Sequence, residues 1–94
     1  MKLIDTHCHL DFETFSEDLE EIINRARSVG VTKMITISTK LSNFPKLLNL
    51  ASEYDGVSCS IGVHPHEAGE EGRTELSDIL KYTSHPNVVG IGET

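Results

Sequence analysis

Two kinds of hydrophobic pattern alternate along the 94-residue chain. In one kind, β-branched and aliphatic residues follow one another in short runs, which is typical of strands buried in a parallel sheet. In the other kind, apolar residues recur every three or four positions, as they do on one face of a helix. The runs predict four strands, at 2–5, 31–38, 57–63 and 88–92, with three helices between them. The pattern therefore indicates an α/β protein with parallel strands.

The predicted helices carry start and stop signals. The first is expected to begin with Ser16 as its N-cap and to end at Gly30. Its buried face is expected to comprise Leu19, Ile22, Ile23, Ala26 and Val29. The second has Pro45 in its first turn and ends at Gly56. Its buried side is expected to comprise Phe44, Leu47, Leu48 and Ala51. The third, which stops before Pro86, is marked by Leu76, Ile79 and Leu80.

The spacing of the strands leaves two architectures open. Strand starts near residues 2, 31, 57 and 88 are separated by 29, 26 and 31 residues. A (β/α)8 barrel averages about 31 residues per unit, and a doubly wound sheet fits nearly as well. Four strands and three helices make half a barrel, whose open edges expose unpaired backbone groups. We therefore expect a fragment of a longer protein, or a chain that self-associates through those edges.

Composition narrows the class of partner. Fifteen acidic residues against eight Lys and Arg give a net charge of −7, which argues against non-specific binding of duplex DNA. An enzyme that holds phosphates through bound metal ions stays compatible with this charge. Cys8 and Cys59 form no CxxC motif, which excludes a zinc ribbon and a disulfide scaffold. With no membrane-spanning run and no leader pattern, a cytoplasmic protein is expected.

His7 and His9 are the sharpest chemical signal. Residues two apart on a strand point to the same side, about 7 Å apart, so both imidazoles can reach one metal ion. The alternative is an exposed pair beyond the end of the strand. Cys8 lies between them and is expected to point the opposite way, as a small buried hydrophobe rather than a thiolate ligand.

Further polar residues follow the other strands, at the edge where parallel α/β folds bind ligands. Ser38 and Thr39 follow the second strand, and His64 and His66 follow the third. The two histidines flank Pro65, which stiffens the segment, and they are candidates to contact a phosphate or a metal, or are simply a solvated turn. Glu93 ends the fourth strand and is a candidate to bridge two cations, or is an ordinary loop acid.

Two aspartates near the histidine pair are candidates for a supporting role. Asp5 and Asp11 could orient the imidazoles without binding the metal themselves. For Asp11, the local sequence favours the alternative of a turn residue. The sequence contains no GxSxG, P-loop or GxGxxG motif, so a serine nucleophile, P-loop nucleotide binding and a dinucleotide cofactor lack support.

Three motifs together resemble the TatD family of metal-dependent deoxyribonucleases. They are Asp5-Thr6-His7-Cys8-His9-Leu10-Asp11, Gly62-Val63-His64-Pro65-His66 and Gly90-Ile91-Gly92-Glu93. Their order and separation match the family, and the resemblance extends over residues 1–94 but only over the amino-terminal third or so of such a protein. It implies a TIM-type barrel, of which this chain is the incomplete first half.

The resemblance also implies roles. His7 and His9 would bind the first metal ion, and Glu93 would bridge two ions and take part in catalysis. His66, together with His64, would contact the substrate phosphate. The implied reaction is hydrolysis of DNA phosphodiester bonds, at ends that are typically single-stranded, by a water activated by Mg²⁺, Mn²⁺ or Zn²⁺.

Two alternatives stay open at this point. The same metal site could hydrolyse another ester, an amide or an aminoacyl-tRNA bond, because fold does not determine chemistry. The chain could also be an inactive half-barrel that only associates, since the remaining family ligands, two His and one Asp on later strands, have no counterpart in it.

Overall fold

The computed structural model describes residues 1–94 and contains one four-stranded parallel sheet. The strands lie side by side in the order β1-β2-β3-β4. Their bounds are Leu3–Cys8, Val31–Thr36, Val57–Ile61 and Val88–Ile91. A doubly wound sheet departs from sequence order at its switch point, whereas a (β/α) barrel keeps that order. The sequential order therefore resolves the choice between the two architectures, and the fold is an incomplete TIM-type barrel.

Four α-helices and three short 3₁₀ turns connect the strands, one helix more than the sequence predicts. The helices are α1 Leu19–Ser28, α2 Phe44–Glu53, α3 Ala68–Glu71 and α4 Leu76–Leu80. The 3₁₀ turns are Glu13–Phe15, Leu41–Asn43 and Pro65–Glu67. The additional helix, α3, has only four residues and no buried side chain, so it lacks the apolar periodicity by which longer helices are recognised.

Two expectations for α1 are wrong at its ends. Ser16 is not the N-cap, because it closes the preceding 3₁₀ turn and its hydroxyl donates a hydrogen bond to the Glu13 carbonyl at 2.9 Å. Val29 is not buried but 73 % exposed, because the helix ends at Ser28 and Val29 lies in the turn before β2. Gly30 does end this segment, with φ at +101°, a conformation that favours glycine.

The hydrophobic core lies between one face of the sheet and helices α1 and α2. Helix α2 supplies four buried residues, Phe44, Leu47, Leu50 and Ala51. Leu48, expected among them, is only half-buried, whereas Leu50, which was not expected, is buried. Helix α1 adds Ile23, and the sheet adds Met34, Val57, Cys59 and Ile61. This packing holds the carboxyl ends of the strands in one row, where the predicted site residues lie.

The opposite face of the sheet is open. Ile4, Val89 and Ile91 are each more than half exposed, and every residue of β1 except Cys8 is exposed. This is the face that lines the interior of a closed (β/α) barrel. No helix of the chain has both the length and the apolar character needed to cross a bilayer.

Candidate metal centre

Three histidines surround one carboxylate at the carboxyl ends of the strands. His7 lies in β1 and His9 just after it, whereas Glu93 follows β4 on the opposite edge of the sheet. The Nε2 atoms of His7 and His9 lie 3.5 and 3.8 Å from Oε2 of Glu93. Nε2 of His64, which follows β3, lies 3.3 Å from the other carboxylate oxygen. The curvature of the sheet therefore brings its two edge strands to one cluster.

The geometry of this cluster fits a divalent cation. One potential ligand atom from each of His7, His9 and Glu93 lies within 4.8 Å of the other two. Two donors that each lie about 2.1 Å from one ion are separated by about 3.0–3.5 Å, close to the observed distances to Glu93. Imidazole and carboxylate donors without thiolate suit Zn²⁺, Mn²⁺ or Mg²⁺. The Nδ1 atom of His9 is buried without a hydrogen-bond partner.

Cys8 is excluded from the cluster, as alternation along the strand predicts. Its side chain is half-buried against the hydrophobic core, and its Sγ donates a hydrogen bond to the Ile35 carbonyl at 3.4 Å. Burial raises the pKa of this thiol to about 12, and the charges of Asp5 and Asp11 add to the effect. Cys8 therefore stays protonated at neutral pH, which makes it unsuited to bind a metal ion as a thiolate.

The two histidines after β3 have different surroundings. Nδ1 of His64 accepts a hydrogen bond from the backbone N–H of His66 at 3.0 Å, so the neutral ring carries its proton on Nε2, facing Glu93. The ring of His66 is exposed and its centre lies 4.9 Å from that of His64. His64 is therefore placed to contact the Glu93 carboxylate. His66 is placed to contact a ligand that enters the site from solvent.

Neither aspartate is hydrogen-bonded to an imidazole. Asp5 accepts the backbone N–H of His7 at 3.1 Å. Asp11 lies in the turn after β1, where its Oδ2 accepts a 2.6 Å hydrogen bond from Asn43 and its backbone carbonyl accepts one from Lys46 at 3.3 Å. Asp11 thus joins the loop after β1 to the start of α2, consistent with its interpretation as a turn residue.

A polar groove of about 860 Å³ opens beside the cluster. Its lining includes His9, His64, His66 and Glu93. Lys40, Asn43 and Lys46 are among the lining residues that the sequence analysis did not single out. Lys40 forms ion pairs with Glu67 at 3.3 Å and Glu70 at 3.7 Å. The hydrogen bond with Glu67 raises the pKa of Lys40. The only sequence signal for these residues is that they follow β2 on the carboxyl side.

The backbone around Glu93 is packed closely against β3. The Gly92–Glu93 peptide is cis, and the Glu93 N–H donates a hydrogen bond to the Ser38 carbonyl at 3.0 Å. A Cβ atom on Gly62 would lie 2.7 Å from the carbonyl carbon of Gly92 and 3.0 Å from the carbonyl oxygen of Glu93. Only glycine at position 62 therefore leaves room for the segment that carries the carboxylate.

Comparison with known proteins identifies the family. The sequence profile described as TatD related DNase matches residues 4–94. The chain belongs to the TatD family. This result agrees with the resemblance of the three motifs, all of which lie within the matched residues.

Individual relatives extend the same result. The chain is 35 % identical over 97 residues to an uncharacterized metal-dependent hydrolase of Buchnera aphidicola. It is 33 % identical over 91 residues to a 3'-5' ssDNA/RNA exonuclease, TatD, of Klebsiella pneumoniae. A crystal structure of YjjV, a TatD homologue from Escherichia coli, is 36 % identical and matches with a TM-score of 0.85 over 97 % of this chain. The chain spans 35–36 % of the length of these relatives.

Proposed function

We propose that this chain forms the first metal-binding part of a divalent-metal-dependent deoxyribonuclease of the TatD family. The observation that carries the proposal is the convergence of His7, His9 and Glu93, whose ligand atoms lie within 4.8 Å of one another. These residues come from opposite edges of the sheet and meet at the end of the fold where ligands bind. Such a cluster of two imidazoles and one carboxylate is typical of a functional site.

Each residue has a distinct role in the proposal. His7 and His9 would hold the first divalent ion, and Glu93 would be a ligand shared by two ions. A bound divalent ion lowers the pKa of water and neutralises charge on the scissile phosphate. His64 contacts the second oxygen of Glu93 and so fixes the orientation of the carboxylate while accepting the His66 N–H on its other nitrogen.

The substrate proposed is the end of a DNA strand. His66 is exposed at the groove and can donate a hydrogen bond to a phosphate, assisted by His64. The Klebsiella relative, an exonuclease of single-stranded DNA and RNA, supports a single-stranded nucleic acid end. The net charge of −7 favours a substrate held by cations and a few side chains rather than by a broad basic surface. A cytoplasmic location stays a prediction.

Activity is proposed to need more than these 94 residues. The family resemblance places two further His and one Asp on later strands, and the relatives are nearly three times as long as this chain. We therefore expect the chain alone to bind a metal ion weakly and to be inactive on DNA.

Metal binding by the chain itself is the first test. Calorimetric titration with Mn²⁺ is expected to show binding to the unmodified chain and at least a tenfold weaker Kd for Glu93→Gln. Glu53→Gln, which changes an exposed acid at the end of α2, is the matched control and should bind like the unmodified chain. Equal binding by Glu93→Gln and the unmodified chain would contradict the site.

Activity is tested in a chimera in which this chain replaces the matching segment of E. coli YjjV. End-labelled single-stranded DNA should be shortened in the presence of Mg²⁺ or Mn²⁺, and both EDTA and His7→Ala should abolish turnover. Unchanged turnover in either case would refute metal catalysis through this site. Hydrolysis of an ester, amide or aminoacyl-tRNA panel without cleavage of DNA would instead establish the alternative substrate class.

A further inference from the structure

Two serine hydroxyls lie buried directly beneath the segment that carries Glu93. Ser38, after β2, is 1 % exposed, and Ser60, in β3, is 5 % exposed. Buried positions in the strands of an α/β fold are mostly aliphatic, and a buried hydroxyl lowers stability unless it is fully hydrogen-bonded. Both hydroxyls are hydrogen-bonded, and one of their three bonds joins Ser60 to the Gly92 carbonyl, directly before Glu93.

The hydroxyl of Ser60 joins two backbone segments. It accepts a hydrogen bond from the Ser38 N–H at 3.1 Å and donates one to the Gly92 carbonyl at 2.7 Å. The single proton of this hydroxyl is therefore donated to the carbonyl of the residue that directly precedes Glu93. Because β4 ends at Ile91, this peptide lies beyond the ladder of the sheet.

Ser38 completes the connection. Its hydroxyl donates a hydrogen bond to the Gly62 carbonyl at 2.8 Å, and its own carbonyl accepts the Glu93 N–H at 3.0 Å. The Gly92 N–H is bonded to the Ile61 carbonyl at 2.9 Å. The Gly92 N–H, the Gly92 carbonyl and the Glu93 N–H are thus fixed by β3 and by Ser38 after β2, rather than by the strand that carries the carboxylate.

We infer that Ser60 is a positioning residue for Glu93, acting through its bonds to the Gly92 carbonyl and the Ser38 N–H. The inference rests on the proposed function, in which Glu93 is a metal ligand. Ser60 holds the backbone so that the carboxylate faces His7, His9 and His64 before any ion binds. A ligand that is already oriented loses less conformational entropy on binding, which strengthens the site.

Removing this hydroxyl has a defined consequence. Ser60→Ala leaves the Ser38 N–H and the Gly92 carbonyl without partners, so the segment relaxes and the carboxylate samples orientations away from the histidines. Loss of a group that supports a metal ligand typically weakens metal affinity 10–100-fold, and we expect a weakening of about that size here. Ser60→Thr keeps the hydroxyl and is expected to restore affinity to within about threefold of the unmodified chain.

The experiment measures the Kd for Mn²⁺ by calorimetry and the thermal midpoint of unfolding for each variant. Cys59→Ala is the matched control, because Cys59 is the buried neighbour of Ser60 in β3 and has no bond to the Glu93 segment. We expect Cys59→Ala to lower the midpoint without changing the Kd, and Ser60→Ala to weaken the Kd. Ser60→Cys keeps the unbranched shape of the side chain but donates only a weak hydrogen bond, so it should give an intermediate Kd. It replaces Ser60→Ala in the test if that variant does not fold.

The outcomes separate the two proposals. If Glu93→Gln weakens Mn²⁺ binding but Ser60→Ala and Ser60→Cys do not, the metal site stands and the positioning role of Ser60 is wrong. The role is also wrong if Cys59→Ala weakens binding as much as Ser60→Ala, since general loosening of the sheet then explains both. If the unmodified chain binds no Mn²⁺, or Glu93→Gln binds normally, both proposals fall.

Discussion

Substitution of Gly62 by alanine tests how closely the Glu93 segment depends on β3. The backbone angles of Gly62 are accessible to any residue, so the only cost of the new methyl group is steric. That methyl would lie 2.7 and 2.8 Å from the carbonyl carbon and oxygen of Gly92. Carbon atoms in favourable contact are about 3.5–4.0 Å apart, so one of the two backbones must move by about 1 Å.

The displacement has to occur in the Glu93 segment or in β3 itself, because the atoms in the way belong to the backbone rather than to a flexible side chain. Overpacking of this kind costs about 1–3 kcal/mol in the free energy of unfolding. In a domain of this size, each kcal/mol lowers the midpoint of thermal unfolding by about 4–8 °C, so a decrease near 10 °C is expected. A shift of about 1 Å in the carboxylate should also weaken Mn²⁺ binding at least tenfold.

Thermal unfolding followed by circular dichroism and calorimetric Mn²⁺ titration measure the two effects. The matched control is Gly90→Ala in β4, where an added Cβ meets no atom within 4 Å. It should bind Mn²⁺ like the unmodified chain and unfold at a similar temperature. If Gly62→Ala unfolds at the same temperature as Gly90→Ala and binds Mn²⁺ equally well, the close approach of Gly92 to β3 does not hold the site.

Three further predictions concern stability and association. Phe44→Ala removes a side chain that is 1 % exposed in the core and should cost about 3–5 kcal/mol in urea unfolding, whereas a cost below 1 kcal/mol would contradict the packing of α2. Burial raises the pKa of the Cys59 thiol to about 11 from 9.0. The unfolded thiol therefore ionises first. Its contribution to the free energy of unfolding should be constant below pH 9 and fall as pH rises toward 11, by at most about 1.4 kcal/mol per pH unit. Urea unfolding at pH 8 and pH 10.5 measures this loss, which should shrink in Cys59→Ala. Self-association through the open edges stays a prediction, and light scattering should show a concentration-dependent mass that Ile91→Lys reduces; a monomer at all concentrations would refute it.

Much of the site was accessible from local sequence. His7 and His9 lie two residues apart at the end of β1, and the alternation of extended chain predicts both rings on one side and Cys8 on the other. The roles of His64 and His66 stay predictions, but their place beyond β3 follows from the end of a β-branched run. The sequence analysis did not identify the groove residues Lys40 and Lys46, because neither belongs to a recognisable motif.

The ends of the elements were harder to predict, because several groups compete for the same hydrogen bonds. Ser16 has the residue type of an N-cap, yet its hydroxyl bonds within the preceding 3₁₀ turn, and α1 begins later. Val29 continues the apolar spacing of α1, but the helix ends at Ser28 and leaves it in solvent. The spacing of apolar residues identifies a helix and its buried face, but it does not determine the residue at which the helix ends.

By itself, the amino-acid sequence determined the alternation of strands and helices, the parallel sheet and the chemical types at the strand ends, because these depend on side chains only a few residues apart. Tertiary structure alone decided that Glu93 meets His7 across the sheet, that Ser38 and Ser60 hold its backbone, and that Gly62 must lack a side chain. Those contacts join residues 22 to 86 positions apart, and their distances depend on strand order, register and the curvature of the whole sheet.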